Sequence, residues 1–143
     1  MADPKADVEE LMNDAVGVSF AERMLCEHGE FLPYGAAMTQ SGEIVSVAAH
    51  NGTEKPASQE LISLLIDGFR EAAAEGKYKA TAIFYDVRVN VPGGDEKTDA
   101  VAVALDHQDN YSVVVFFPYR LNGNEVEYGE LFAQAGENRV FDQ

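Results

Sequence analysis

The sequence contains one cysteine, Cys26, and no tryptophan in 143 residues. A single thiol excludes an intramolecular disulfide and any cysteine-based zinc or iron–sulfur cage. No apolar run approaches the ~20 residues that a membrane-crossing helix needs. Positive charge is scarce: 10 Lys and Arg stand against 25 Asp and Glu, a net charge of −15. Such a chain is repelled by nucleic acid and by anionic membrane surfaces, whose binding rests on cations, so neither is an expected partner. The start, Met1-Ala2-Asp3-Pro4-Lys5-Ala6-Asp7, lacks the basic-then-apolar pattern of a secretory leader. A cytoplasmic location is the expectation.

What is present is a globular mixture, 46% hydrophobic and 24% charged. A chain of this length buries about two thirds of its unfolded surface, enough for a core without staples. One α+β domain over residues 1–143 is expected, with a helical segment at 1–29 and the remaining elements at 30–143. The acidity is uneven. Residues 77–121 hold six acids against five bases, so the central strands are nearly neutral.

Val8, Leu11, Met12, Ala15 and Val16 recur on one helical face, and Asp3-Pro4 supplies a cap and a first-turn proline. Gly17 interrupts this run, so either one helix bends there or a second begins at Ser19, where the spacing to Glu22 suits a capping box. Gly29 is the expected stop. Phe31–Thr39 and Glu43–His50 read as a hairpin through Gln40-Ser41-Gly42. Asn51–Pro56 reads as a loop. A long helix from about Ala57 to Glu75 carries Leu61, Ile62, Leu64, Leu65, Ile66 and Phe69, a stripe wide enough to predict a central, mostly buried helix.

The remainder reads as an antiparallel meander. Matching large apolar residues pairs Val87 with Val101 and Tyr85 with Val103, around a loop at Pro92–Glu96. Val113, Val115, Phe117 and Tyr119 extend that face. Asn122-Gly123 is a strong hairpin signal and sets Val126 opposite Tyr119. The predicted architecture is an antiparallel meander with the long helix packed on the Ile83/Val101/Phe117 face and an N-terminal helical segment. The opposite face would carry Phe84, Ala102, Ala104 and Phe116 beside Asp86 and Arg88.

Asp86 and Arg88 on a small apolar face are the first candidates for gripping a ligand or partner. The bland alternative is an ion pair at the sheet rim. A small-molecule or enzymatic pocket would be lined by Asp86, Arg88, Lys97 and Asp99, and Phe116 and Tyr119 are the further candidates for contact with a ligand or partner. Pro92-Gly93-Gly94-Asp95-Glu96-Lys97-Thr98 has the residue types of a phosphate loop, but glycine does not directly precede Lys-Thr and no helix follows. His28, His50 and His107 lack metal-ligand spacing, and Asp106–Asp109 reads as a solvated turn. Cys26 has no base on its own helix face. No nucleophile, base and oxyanion donor can be assembled, so no catalytic residue, metal or cofactor is expected and an enzyme is the less favoured reading.

Phe31-Leu32-Pro33-Tyr34-Gly35, Tyr85-Asp86-Val87-Arg88-Val89, Glu96-Lys97-Thr98-Asp99-Ala100 and Phe117-Pro118-Tyr119-Arg120 resemble segments of a family of small bacterial proteins of unknown function. That resemblance implies a family and no mechanism. The element order is also similar to that of roadblock and profilin-like domains, which place a long helix on a meander and often act as dimeric adaptors. The leading expectation is a non-catalytic binding or interaction module with a second copy or another protein as partner. Its rivals are a small-molecule or enzymatic pocket around Asp86 and Arg88, and an acidic immunity-type protein that binds a basic toxin.

Overall fold

The computed structural model describes residues 3–14, 17–48, 58–90, 92–94, 97–123 and 125–141. The fold is α+β. Two helices, α1 (Pro4–Asn13) and α2 (Val18–His28), precede a hairpin of β1 (Tyr34–Thr39) and β2 (Ile44–Val47). Then come α3 (Ser58–Ala74), β3 (Tyr78–Asn90), β4 (Lys97–His107), β5 (Tyr111–Asn122), β6 (Glu125–Tyr128) and β7 (Phe132–Ala135). The strands form one antiparallel sheet in the order β2-β1-β3-β4-β5-β6, with β7 paired to the first part of β5. No helix among the described residues is long and apolar enough to cross a membrane.

The N-terminal helices start and stop where local chemistry dictates. Asp3 accepts a hydrogen bond from the Lys5 N–H at 3.1 Å, and Pro4 occupies the first turn. α2 ends at Gly29, whose φ of 75° lets its N–H bond to the Leu25 carbonyl. The chain therefore forms two helices rather than one bent helix. The second begins at Val18 behind Gly17, without the capping box expected at Ser19. Ala15 and Val16 lie outside the described residues, as do His50, the expected loop Asn51–Pro56, the Ala57 helix start, and Asp95 and Glu96.

Successive strand residues point to opposite faces. One face holds Ala36, Met38, Ala82, Phe84, Val101, Val103, Leu105 and Phe117, which pack against Val8, Leu11, Ala21 and Leu25 of α1 and α2. Tyr34 ties these layers together. Its ring stacks on Phe84 at 4.8 Å, and its hydroxyl donates to the Gly17 carbonyl at 2.6 Å and accepts from the Ala21 N–H at 3.1 Å. The other face holds Ala37, Ile83, Tyr85 and Ala104. Leu65 and Phe69 of α3, together with Val140 and Phe141 near the C-terminus, cover that end.

Two expectations about the sheet are corrected. Val87 is opposite Ala100 and Tyr85 opposite Ala102, one residue away from the predicted register. The slip exchanges faces, so Phe84, Asp86 and Arg88 share the Val101/Phe117 side while Ala102, Ala104 and Phe116 lie on the side of Ile83 and Tyr85. The reason is that the first half of β3 is apolar on both faces, because α1 and α2 cover one and α3 the other. Large-to-large matching then misleads, since Tyr85 and Ile83 are accommodated opposite alanines. At the β5–β6 turn the pairing is Tyr119 with Tyr128 and Leu121 with Val126, a two-residue shift that leaves the faces unchanged.

The third correction concerns α3. It packs on β3 and β1 and buries only Leu61, Leu65 and Phe69, while Leu64 stays 41% exposed. It is not a buried central helix. The helices against Val101 and Phe117 are α1 and α2. Phe69 seats α3 by lying over Gly35, where an added Cβ would come within 2.8 Å of its Cζ. Gly68, one residue earlier, faces open space. Because glycine weakens a helix interior, Gly68→Ala is expected to raise unfolding stability by about 0.5–1 kcal/mol, read as a higher urea midpoint.

Candidate functional site

Five of the six residues singled out in the sequence lie toward one end of the α1–α2 side of the sheet. Asp86 and Tyr119 meet there: the phenol donates to Asp86 Oδ1 at 2.9 Å. Burial raises the Asp86 carboxyl above its usual value, and the Tyr119 hydrogen bond opposes this. Burial and the same carboxylate push the Tyr119 phenol upward. Arg88 is not paired with Asp86. It lies opposite Asp99 and contacts it at 3.8 Å, with both side chains more than half exposed. A pair that open contributes little to stability. Lys97 is exposed at the start of β4, opposite Asn90. Phe116 is on the other face, stacked on Phe132 at 4.9 Å.

The described residues bring a different group together on the α3 side. A groove of about 240 Å³ runs between α3 and the segment 134–139. Ile62 and Ile66 form its helical wall, and Ile83, Tyr85, Ala104 and Val114 line the sheet side. Asp106, Ser112, Glu137, Asn138 and Arg139 supply the polar groups. Asp106 was expected in a solvated turn, yet it is only 6% exposed and belongs to β4. Its Oδ1 accepts from the Ser112 hydroxyl at 2.6 Å, and Ser112 Oγ accepts the Asn138 N–H at 2.9 Å. Arg139 Nε holds Glu137 at 2.7 Å. Asn138 Oδ1 is buried without a hydrogen-bond partner among the described residues. Asp106 and Ser112 face each other because β4 and β5 put them in register. Arg139 arrives through the β5–β7 pairing, which the sequence pattern did not reveal.

Burial raises the Asp106 carboxyl, while the Ser112 hydrogen bond and the Arg139 charge pull it back down. The folded state therefore binds this proton more readily than the unfolded chain does. Its contribution to stability falls as pH rises from the ordinary carboxylate value through the raised folded value, and is least favourable at neutrality. Asp106→Asn keeps an acceptor for Ser112 and removes the titration. Urea unfolding at pH 7, 5.5 and 4 is expected to show the parent gaining on this variant as pH falls. A difference constant with pH would contradict that assignment.

A second polar cluster joins α1 to the sheet. His107 is fully buried; its Nδ1 accepts the Asp109 N–H at 3.0 Å, which leaves Nε2 to donate to Asp7 at 2.8 Å. The pairing register shifts beside Thr39, making Lys79 an extra residue in β3, and its ammonium lies 3.6 Å from the same Asp7 oxygen. An aspartate and a histidine so arranged can orient a general base, but here both ring nitrogens are occupied and no ring edge reaches solvent. The cluster anchors a helix. Asp106 and His107, adjacent in sequence, point to opposite faces, and the described residues contain no group of three or more side chains suited to a metal ion.

No protein family, curated protein or solved structure matches the chain.

Proposed function

We propose that the protein is a non-catalytic binding module and that its interaction surface is the part of the sheet beyond α3. The observation that carries this reading is a cluster with no helix in it. Among the described residues, Ala100, Ala102 and Phe116 pack with the apolar sheet residues Tyr85, Val87, Val89, Val114 and Phe132, which remain half-buried. α1 and α2 occupy the opposite side, and α3 reaches only the border of this region, where Tyr85 and Val114 face it across the groove. Contiguous apolar surface of this kind marks an interaction site.

A second copy of the chain is the partner that the charge distribution favours. The strands at 77–121 are nearly neutral in a molecule of net charge −15, so two copies meet with least repulsion through them. Such a contact would be isologous, sheet against sheet. Val87 is the position to test, because Phe116 is too buried for its replacement to leave the fold intact and Val114 also lines the groove beside α3. Sedimentation equilibrium is expected to give a dimer for the parent and a 15.6 kDa monomer for Val87→Asp, with dissociation raised roughly a hundredfold or more and circular dichroism unchanged. A parent that stays monomeric at all concentrations, or a variant that dimerises equally well, overturns the homodimer reading.

A further inference from the structure

We infer that the groove between α3 and residues 134–139 is a binding site for a small organic ammonium ion, a primary amine with a compact apolar body. The inference goes beyond the interaction surface and does not depend on dimerisation. Its size sets the first limit. About 240 Å³ has room for roughly eight waters at ~30 Å³ each, less than the 300–1,000 Å³ of drug-sized sites.

The polar end sets the sign of the charge. Ser112 uses one oxygen of Asp106, and Oδ2 carries no hydrogen bond among the described residues. Asn138 belongs to the same lining, with its side-chain carbonyl oxygen turned into the protein rather than toward the groove. Among the described residues the lining holds two carboxylates, Asp106 and Glu137, against one cation, Arg139, so its net charge is negative even though Arg139 acts on both. A carboxylate oxygen left over by Ser112 and a net negative charge suit a group with several N–H donors and a positive charge, which an ammonium supplies. An anion would meet Asp106 unpaired. Ile62, Ile66 and Val114 offer an apolar wall for the rest of the ligand.

The test uses 2-phenylethylamine, with 2-phenylethanol and 3-phenylpropionate as neutral and anionic counterparts, followed by amide chemical-shift mapping of the full chain. The amine is expected to perturb Tyr85, Val114 and Asn138 and to bind at least tenfold more tightly than the alcohol, while the carboxylate does not bind. Asp106→Asn, its fold verified in the same spectra, is expected to weaken the amine at least tenfold. Gln134→Lys adds a cation at an exposed position of the lining and is expected to weaken it severalfold. Val87→Asp should bind the amine like the parent, which separates this site from the dimer surface. Perturbations spread over exposed carboxylates, equal binding of amine and alcohol, or an unaffected Asp106→Asn variant would overturn the inference.

Discussion

Replacing Phe84 with Ala is expected to lower unfolding stability by about 3–5 kcal/mol, a large part of the ~5–15 kcal/mol that holds a domain together. The ring is 0% exposed and lies opposite Tyr34 on β1 and Val103 on β4. Its near-parallel stack with Tyr34, interplanar angle 8°, supports the phenol that holds the junction of α1 and α2. Truncation therefore opens a cavity and loosens a hydrogen-bonding side chain together. Surrounding groups cannot collapse into the space easily, because a sheet lies on one side and two helices on the other. Urea unfolding should show a lower midpoint with an unchanged slope. A loss below about 1 kcal/mol would mean that the helices do not bear on this part of the sheet.

Gly17→Ala is expected to cost about 1–3 kcal/mol although it adds a single methyl group. Gly17 is buried at the junction of α1 and α2, and its added Cβ would meet the carbonyl oxygens of Met12 and Leu11, the latter at 2.9 Å. Backbone oxygens cannot rotate away as a side-chain end can, so the whole junction must shift. That movement also disturbs the Gly17 carbonyl that accepts from Tyr34. Hydrogen exchange should speed up in α1 before it does in β4 and β5, because the helix is held by few elements and the strands by the ladder. A parent-like midpoint and exchange pattern would show that the junction absorbs the methyl group at little cost.

The sequence and the structure agree where the physics is local. Asp3-Pro4 and Gly29 act through their own backbone neighbours, and both mark helix ends as expected. The face shared by Val101, Val103 and Leu105 with Val113, Val115 and Phe117 was also legible, because on β4 these large residues alternate with alanines. β3 was misread for the opposite reason: Ile83, Phe84 and Tyr85 are all large and apolar, so parity carries no information. α3 was misjudged because Leu64 has the right chemistry and the wrong angle. The groove was the least legible feature. Asp106 and Arg139 lie 33 positions apart, and only the short pairing of β7 with β5 brings the segment of Arg139 alongside the strand of Ser112. Such pairings depend on packing across the whole sheet and leave no local pattern.

The anchor between Asp7 and His107 has a consequence for synthesis. The two residues are 100 positions apart, so α1 leaves the ribosome long before the strand it docks on. At ~5–20 residues per second that interval is roughly 5–20 s. For most of it Val8, Leu11 and Met12 lack the complete sheet that covers them, since β1 and β3 are made before β4. The nascent chain thus carries an acidic, amphipathic N-terminal segment in waiting, and its docking follows the assembly of β3 with β4. A ribosome stalled before His107 should expose α1 to protease, and one stalled well beyond it should protect the helix.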